Sequence, residues 1–191
     1  ATVERYDDDV MRLRELRHGQ LRKRVVEQHV RVPRHRVRKH GDLQTVYFEG
    51  GEVSLAARML NALKAPARQS PRVQLSLATA LVELGEDDAA ERELQHALAT
   101  RPDDADAHNL QGILHRRAGQ FRQAQAAYEQ VLRLRPGHAM AHINLGILCD
   151  IYLQDAGCAM QHYREYLELS AGSDRHVSLW LADLEQRQGE R

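Results

Sequence analysis

Residues 104–138 read DADAHNLQGILHRRAGQFRQAQAAYEQVLRLRPGH. Gly119, Ala124, Tyr128 and Pro136 punctuate a stretch that otherwise looks like ordinary polar helix, and none of them is a nucleophile, base or metal ligand at this spacing. Their role is therefore architectural. Moved 34 positions toward the N-terminus, the same places hold Gly85, Ala90, Leu94 and Pro102, with Ala97 under Val131; Ala78, Gly112 and Gly146 form a ladder at the same step. A fixed period of this length marks stacked helical hairpins. Gly85 and Gly119 predict a positive-φ close of each first helix. Gly112 and Gly146 predict a close approach by a neighbouring helix, and Ala124 with Tyr128 gives an i, i+4 small–large pair on the second helix. Pro102 and Pro136 then stop that second helix.

This pattern resembles the tetratricopeptide repeat (TPR), a helix–turn–helix unit written W-x2-L-G-x2-Y…A-x3-F…P. The resemblance implies an all-α, right-handed superhelical solenoid. It places repeats at 71–104, 105–138 and 139–173. The last carries one extra residue, because Ala159 and Tyr163 fall one place late and YLQDAGC (152–158) replaces the tight glycine turn. A degenerate repeat is expected at 41–70, with Gly51 at its turn and Ala56 or Ala57 on its second helix. His108 and His142 stand where the family pattern has Trp. Val177, Trp180, Leu181 and Leu184 form one apolar stripe, so 174–191 is read as a capping helix over the open end of the array, with Trp180 a packing residue. Before residue 41 the resemblance stops: Val3, Tyr6, Val10 and Leu13 suggest a helix ending near Gly19, and HVRVPRHRVRKHGD (29–42) an extended basic connector.

Composition narrows the function. A chain of 191 residues is long enough to bury a core without a disulfide or metal staple. Its 27 basic and 27 acidic residues balance, but eight bases (Arg22, Lys23, Arg24, Arg31, Arg34, Arg36, Arg38, Lys39) face only Glu27 between positions 21 and 40. Such a cluster can contact phosphates. It lacks the interleaved aromatics that stack bases, so a solvated linker, or an arm packing on an acidic neighbour, is the preferred reading. No apolar run is long enough to span a bilayer, and none follows a basic start in the manner of a signal peptide. Cys149 and Cys158 are read as two buried thiols of a reducing compartment, with an i to i+9 bridge between adjoining helices as the alternative. The thiol reading favours the cytoplasm; the first residue being Ala1, a removed leader would place the chain in the periplasm. The Ala-, Arg- and Leu-rich wording of the repeats looks bacterial.

Chemistry is sparse. His138 and His142 are four apart and His108 one repeat upstream, but with Cys149 they lack a recurring acidic or thiolate partner at ligand spacing. No metal or cofactor is expected, nor a phosphate loop or nucleophile elbow, and hence no enzyme. What remains is the concave face that stacked first helices create. By resemblance its residues are Arg72, Leu75, Thr79 and Val82; Asp106, Asn109, Ile113 and Arg116; and Met140, Ile143, Asn144, Ile147 and Asp150, the apolar members, Leu75 and Ile143 especially, being equally readable as core between repeats. Relatives that hold the carboxylate tails of heat-shock chaperones use Lys, Arg and Asn on this face. Only Asn144 matches here, which disfavours such tails. The expected function is a noncatalytic scaffold holding a partner peptide or helix, with Asn144 solvent-facing and dispensable for stability. Competing readings are a nucleic-acid-associated adaptor acting weakly through Arg22 to Lys39, and the regulatory part of a longer enzyme.

Overall fold

A computed structural model describes residues 53–65 and 67–189. The N-terminal helix expected over Val3 to Leu13, the basic connector and the Gly51 turn lie outside the described residues. Eight α-helices follow in order: α1 (Val53–Asn61), α2 (Pro71–Leu84), α3 (Asp87–Thr100), α4 (Ala105–Arg117), α5 (Phe121–Leu134), α6 (Ala139–Ile147), α7 (Ala156–Leu169) and α8 (Arg175–Gly189). A short 3-10 turn, Ala67–Gln69, precedes α2, and a π-helical segment, Leu148–Leu153, continues α6. Helices α2 and α3, α4 and α5, and α6 and α7 pack as hairpins, and α8 closes on α7. The described residues form an all-α solenoid.

The punctuation read from sequence does its work locally. Gly85 (φ 80°) and Gly119 (φ 76°) adopt the left-handed conformation that a Cβ disfavours. Each starts a Schellman-type close: Gly85 N–H donates to the Val82 carbonyl at 3.1 Å and Glu86 N–H to that of Leu81 at 2.9 Å, while Gln120 N–H reaches the His115 carbonyl at 2.8 Å. Two residues beyond α3 and α5, Pro102 and Pro136 prevent either helix from continuing. Asp104 caps α4 by accepting from the backbone N–H groups of Asp106 and Ala107.

Two of the hairpins, α4–α5 and α6–α7, are clamped by a ring on a glycine. A Cβ built on Gly112 would lie 2.6 Å from Cδ1 and 2.8 Å from Cζ of Tyr128, and one on Gly146 2.6 Å from Cδ1 of Tyr163. Both tyrosines are fully buried. In the α2–α3 hairpin Ala78 faces the shorter Leu94, and both are buried: a larger small residue accompanies a smaller large one. The main core runs from α2 to α8, and Trp180 of α8 rests on Tyr163 with ring centroids 5.8 Å apart.

The third turn is built differently. Helix α6 runs on into the π segment and ends at Gln154, a non-glycine residue with φ 56°. Asp155 N–H donates to the Cys149 carbonyl at 2.9 Å, and the Asp155 carboxylate accepts from Cys158 N–H at 3.0 Å to start α7. The extra residue is absorbed here, within the hairpin. Cys149 and Cys158 are joined in a disulfide across this turn. The expectation of two reduced thiols is thus corrected: the sequence gap of nine residues, folded into a helical hairpin, brings the two Cα atoms to 5.9 Å, within bridging range.

Candidate interaction surface

Helix α4 touches both α2 and α6, so the first helices of successive hairpins lie side by side and line one face of the array. The thirteen residues assigned to this face separate by burial. Arg72 is exposed, and Thr79, Asp106, Met140 and Asp150 are partly exposed. Val82, Asn109, Ile113, Arg116, Ile143, Asn144 and Ile147 are buried; Leu75 is half-buried and packs against the main core.

Three of the accessible members, Thr79, Asp106 and Asp150, are held by hydrogen bonds or ion pairs. Thr79 turns its hydroxyl onto its own helix, donating to the Leu75 carbonyl at 2.9 Å. Asp106 accepts from His138 Nε2 at 2.9 Å and lies 3.6 Å from the Arg135 guanidinium, which ties the start of α4 to the junction before α6. His138 spends both nitrogens, because its Nδ1 accepts from Ala141 N–H at 3.1 Å and so caps α6. Asp150 accepts from the Tyr163 hydroxyl at 3.4 Å.

Among the buried members, Asn144 corrects an expectation. It is 1% exposed, not solvent-facing, and its Nδ2 donates to Asn109 Oδ1 at 3.1 Å. A buried amide pair is sensitive to loss of either partner, so Asn109 and Asn144 fix α4 against α6 and are not freely offered to a ligand. Arg116 is also interior: its buried Nε has no hydrogen-bond partner, and the guanidinium lies over the Tyr152 ring at 5.9 Å. Tyr152 in turn stacks obliquely on Phe121 at 4.6 Å. Burial pushes the Tyr128 phenol up to about 12, against the opposing pull of the Arg116 charge beside it.

The histidines have structural employment. His108 Nε2 donates to the Pro102 carbonyl at 2.7 Å, and His142 Nε2 to the Pro136 carbonyl at 2.8 Å. A carbonyl can only accept, so the Nε2 proton is fixed and His142 Nδ1 is left as an acceptor. It faces His162 Nδ1 at 3.1 Å, which must then donate. Burial, and next the neighbouring His142, lower the His162 pKa. Among the described residues no group of three His, Cys, Asp or Glu side chains gathers as a metal site, and no helix is long and apolar enough to cross a membrane.

The small-residue ladder and the glycine closes at a 34-residue step define the unit, and two tetratricopeptide repeat models match the sequence, over residues 47–114 and 109–174. The chain belongs to the tetratricopeptide repeat family. Solved TPR structures share its fold. PilF of Pseudomonas aeruginosa is 21% identical over 73% of this chain and 63% of its own, with a TM-score of 0.63. MamA (residues 41 to the end) of Desulfovibrio magneticus RS-1 is 21% identical over 73% of this chain and 77% of its own, TM-score 0.61. The first TPR of Spaghetti (RPAP3), solved with the HSP90 peptide SRMEEVD, is 17% identical over 63% of this chain and 94% of its own, TM-score 0.58. At these identities the likeness is one of fold. The TPR architecture makes the chain a protein–protein interaction scaffold in type.

Sequence reasoning placed the disulfide second to free thiols and missed two features of this TPR array: the Asn109–Asn144 pair and the histidine bonds to proline carbonyls. The last had a signal, since Pro102 to His108 and Pro136 to His142 are each six residues apart.

Proposed function

We propose that this TPR array is a noncatalytic scaffold that holds a segment of a partner protein along the face of α2, α4 and α6, through Arg72, Thr79, Asp106, Met140 and Asp150. The observation that carries the reading is the division of that face: its apolar centre is consumed by packing, whereas a line of charged, polar and thioether groups from all three first helices stays accessible. Buried Asn109, Asn144, Ile113 and Ile147 act beneath it by setting the helix spacing. Contacts made by such a line are polar and side-chain mediated, with Met140 as the adaptable apolar contact. The RPAP3 domain solved with a peptide supports a peptide-binding reading in kind. The HSP90 tail itself is disfavoured, because Leu75, Thr79, Leu110 and Met140 stand where clamp-type relatives carry cations and amides, and Asn144 is buried.

The test is affinity capture by the wild-type chain beside Met140→Asp, Asp150→Lys and a control, Arg122→Glu, at the exposed start of α5. Quantitative mass spectrometry is expected to show the same proteins lost from both face variants and retained by wild type and control. Equal retention by all four chains, with unchanged circular dichroism, would move the binding surface elsewhere.

A further inference from the structure

The third hairpin is the one whose turn lacks a left-handed glycine and the one that carries a covalent link. We propose that the Cys149–Cys158 disulfide is a redox-sensitive clasp, which keeps the α6–α7 hairpin and the α8 cap formed and whose reduction loosens them while leaving α2 to α5 folded.

The argument starts from the cost of this turn. Gly85 and Gly119 take positive φ without penalty, whereas Gln154 does so with a Cβ, which is disfavoured. The α-helical ladder of α6 is also broken early by the π segment, a form rare outside functional or strained places. Against these costs stand the two hydrogen bonds around Asp155 and the disulfide, and only the disulfide restrains the open chain as well. What the clasp holds is continuous with the cap: α7 supplies Tyr163, on which Trp180 of α8 rests, and α8 packs on α7. The preceding hairpin has His115 and Gln123 at the corresponding places and cannot be clasped.

The two sulfurs differ in access. Cys149 is wholly buried and Cys158 is partly exposed. A thiolate of a dithiol reductant therefore attacks Cys158 Sγ, forming a mixed disulfide and expelling Cys149 as a thiolate that takes up a proton. The second thiol of the reductant then attacks its own sulfur in that mixed bond, releasing Cys158, which is protonated in turn. Two electrons and two protons pass to the chain, and the reductant leaves as a disulfide. Asp150 lies inside the clasped segment, so the same event alters the C-terminal end of the interaction surface; that consequence alone rests on the proposed function.

The experiment is hydrogen–deuterium exchange of the full chain, without any partner, in its air-oxidised form and after reduction with a phosphine. A Cys149→Ser, Cys158→Ser double variant is run beside both. Thiol titration of the oxidised chain under denaturant should find no free thiol. Reduction should then speed exchange across 144–186 by about ten- to a hundredfold, the range expected for releasing a loop of this length, with 73–131 unchanged. The double variant should match the reduced chain and ignore the phosphine. Two free thiols in the oxidised chain, equal exchange in the two redox states, or uniform loosening of all hairpins would each overturn the proposal. Because no partner is present, such a failure leaves the scaffold reading standing.

Discussion

Replacing Gly112 by alanine adds one methyl group, and its cost can be worked from the structure. The new Cβ would meet Cε1, Cδ1 and Cζ of Tyr128, the latter two at 2.6 and 2.8 Å, closer than real Cβ contacts allow. The ring cannot swing aside, because Tyr128 is 0% exposed and packed from α4 and α5. Overpacking of this kind costs about 3 kcal/mol at the upper end of its usual range. Against it, alanine is about 1 kcal/mol better than glycine in a helix interior. The net loss is about 2 kcal/mol, or about 4–8 °C in melting temperature for a chain of this size. Thermal melting followed by circular dichroism at 222 nm measures it. A Tyr128→Leu background supplies the control: with the ring gone, the same glycine-to-alanine change should become neutral or stabilising. A Gly112→Ala variant that melts within a degree of wild type, or loses equally in both backgrounds, would refute the ring-on-glycine account.

Asn144→Ala should lower stability by about 1–3 kcal/mol, since it leaves Asn109 Oδ1 buried without its donor; chemical denaturation is the check, and an unchanged midpoint would mean that the pair is not formed. Ala124 is wholly buried, so Ala124→Leu should destabilise by about 1–3 kcal/mol in the same assay. The lowered pKa of His162 means that the unfolded chain binds this proton more readily than the folded one. Stability is therefore level above the ordinary histidine value of 6.5 and falls as pH drops through it toward the folded value. Denaturation midpoints between pH 7.5 and 5 should fall less steeply in His162→Gln, and an identical slope would remove His162 as the cause.

The parts of this fold that could be read in advance are those whose physics is local. A left-handed glycine, a proline that ends a helix and an i, i+4 small–large pair are each properties of a few consecutive residues, so Gly85, Gly119, Pro102, Pro136, Ala124 and Tyr128 announced themselves. Asn109 and Asn144 did not, because they lie 35 positions apart and meet only through the rotation between adjacent hairpins. The concave-face assignment followed the family geometry, which names a helix face but not a depth; packing between first helices buries Ile113, Ile147 and Arg116. The disulfide was named only as the alternative for a related reason: spacing permitted it, but the approach of the two backbones to 5.9 Å is a property of the folded third turn.

The bonds from His108 to the Pro102 carbonyl and from His142 to the Pro136 carbonyl bear on how such an array tolerates changes of length. Each spans the junction from one hairpin to the next and holds only while five residues separate proline from histidine. An insertion at 103–107 or 137–141 would slide the imidazole off its acceptor and leave a buried or half-buried ring unsatisfied. Between Pro71 and Leu169 the length irregularity sits elsewhere, in the turn between α6 and α7. The two proline-to-histidine junctions thus behave as fixed gauges and the turns inside the hairpins as expansion joints, so engineered tags or peptide grafts belong in the turns after α2 and α4, away from the disulfide.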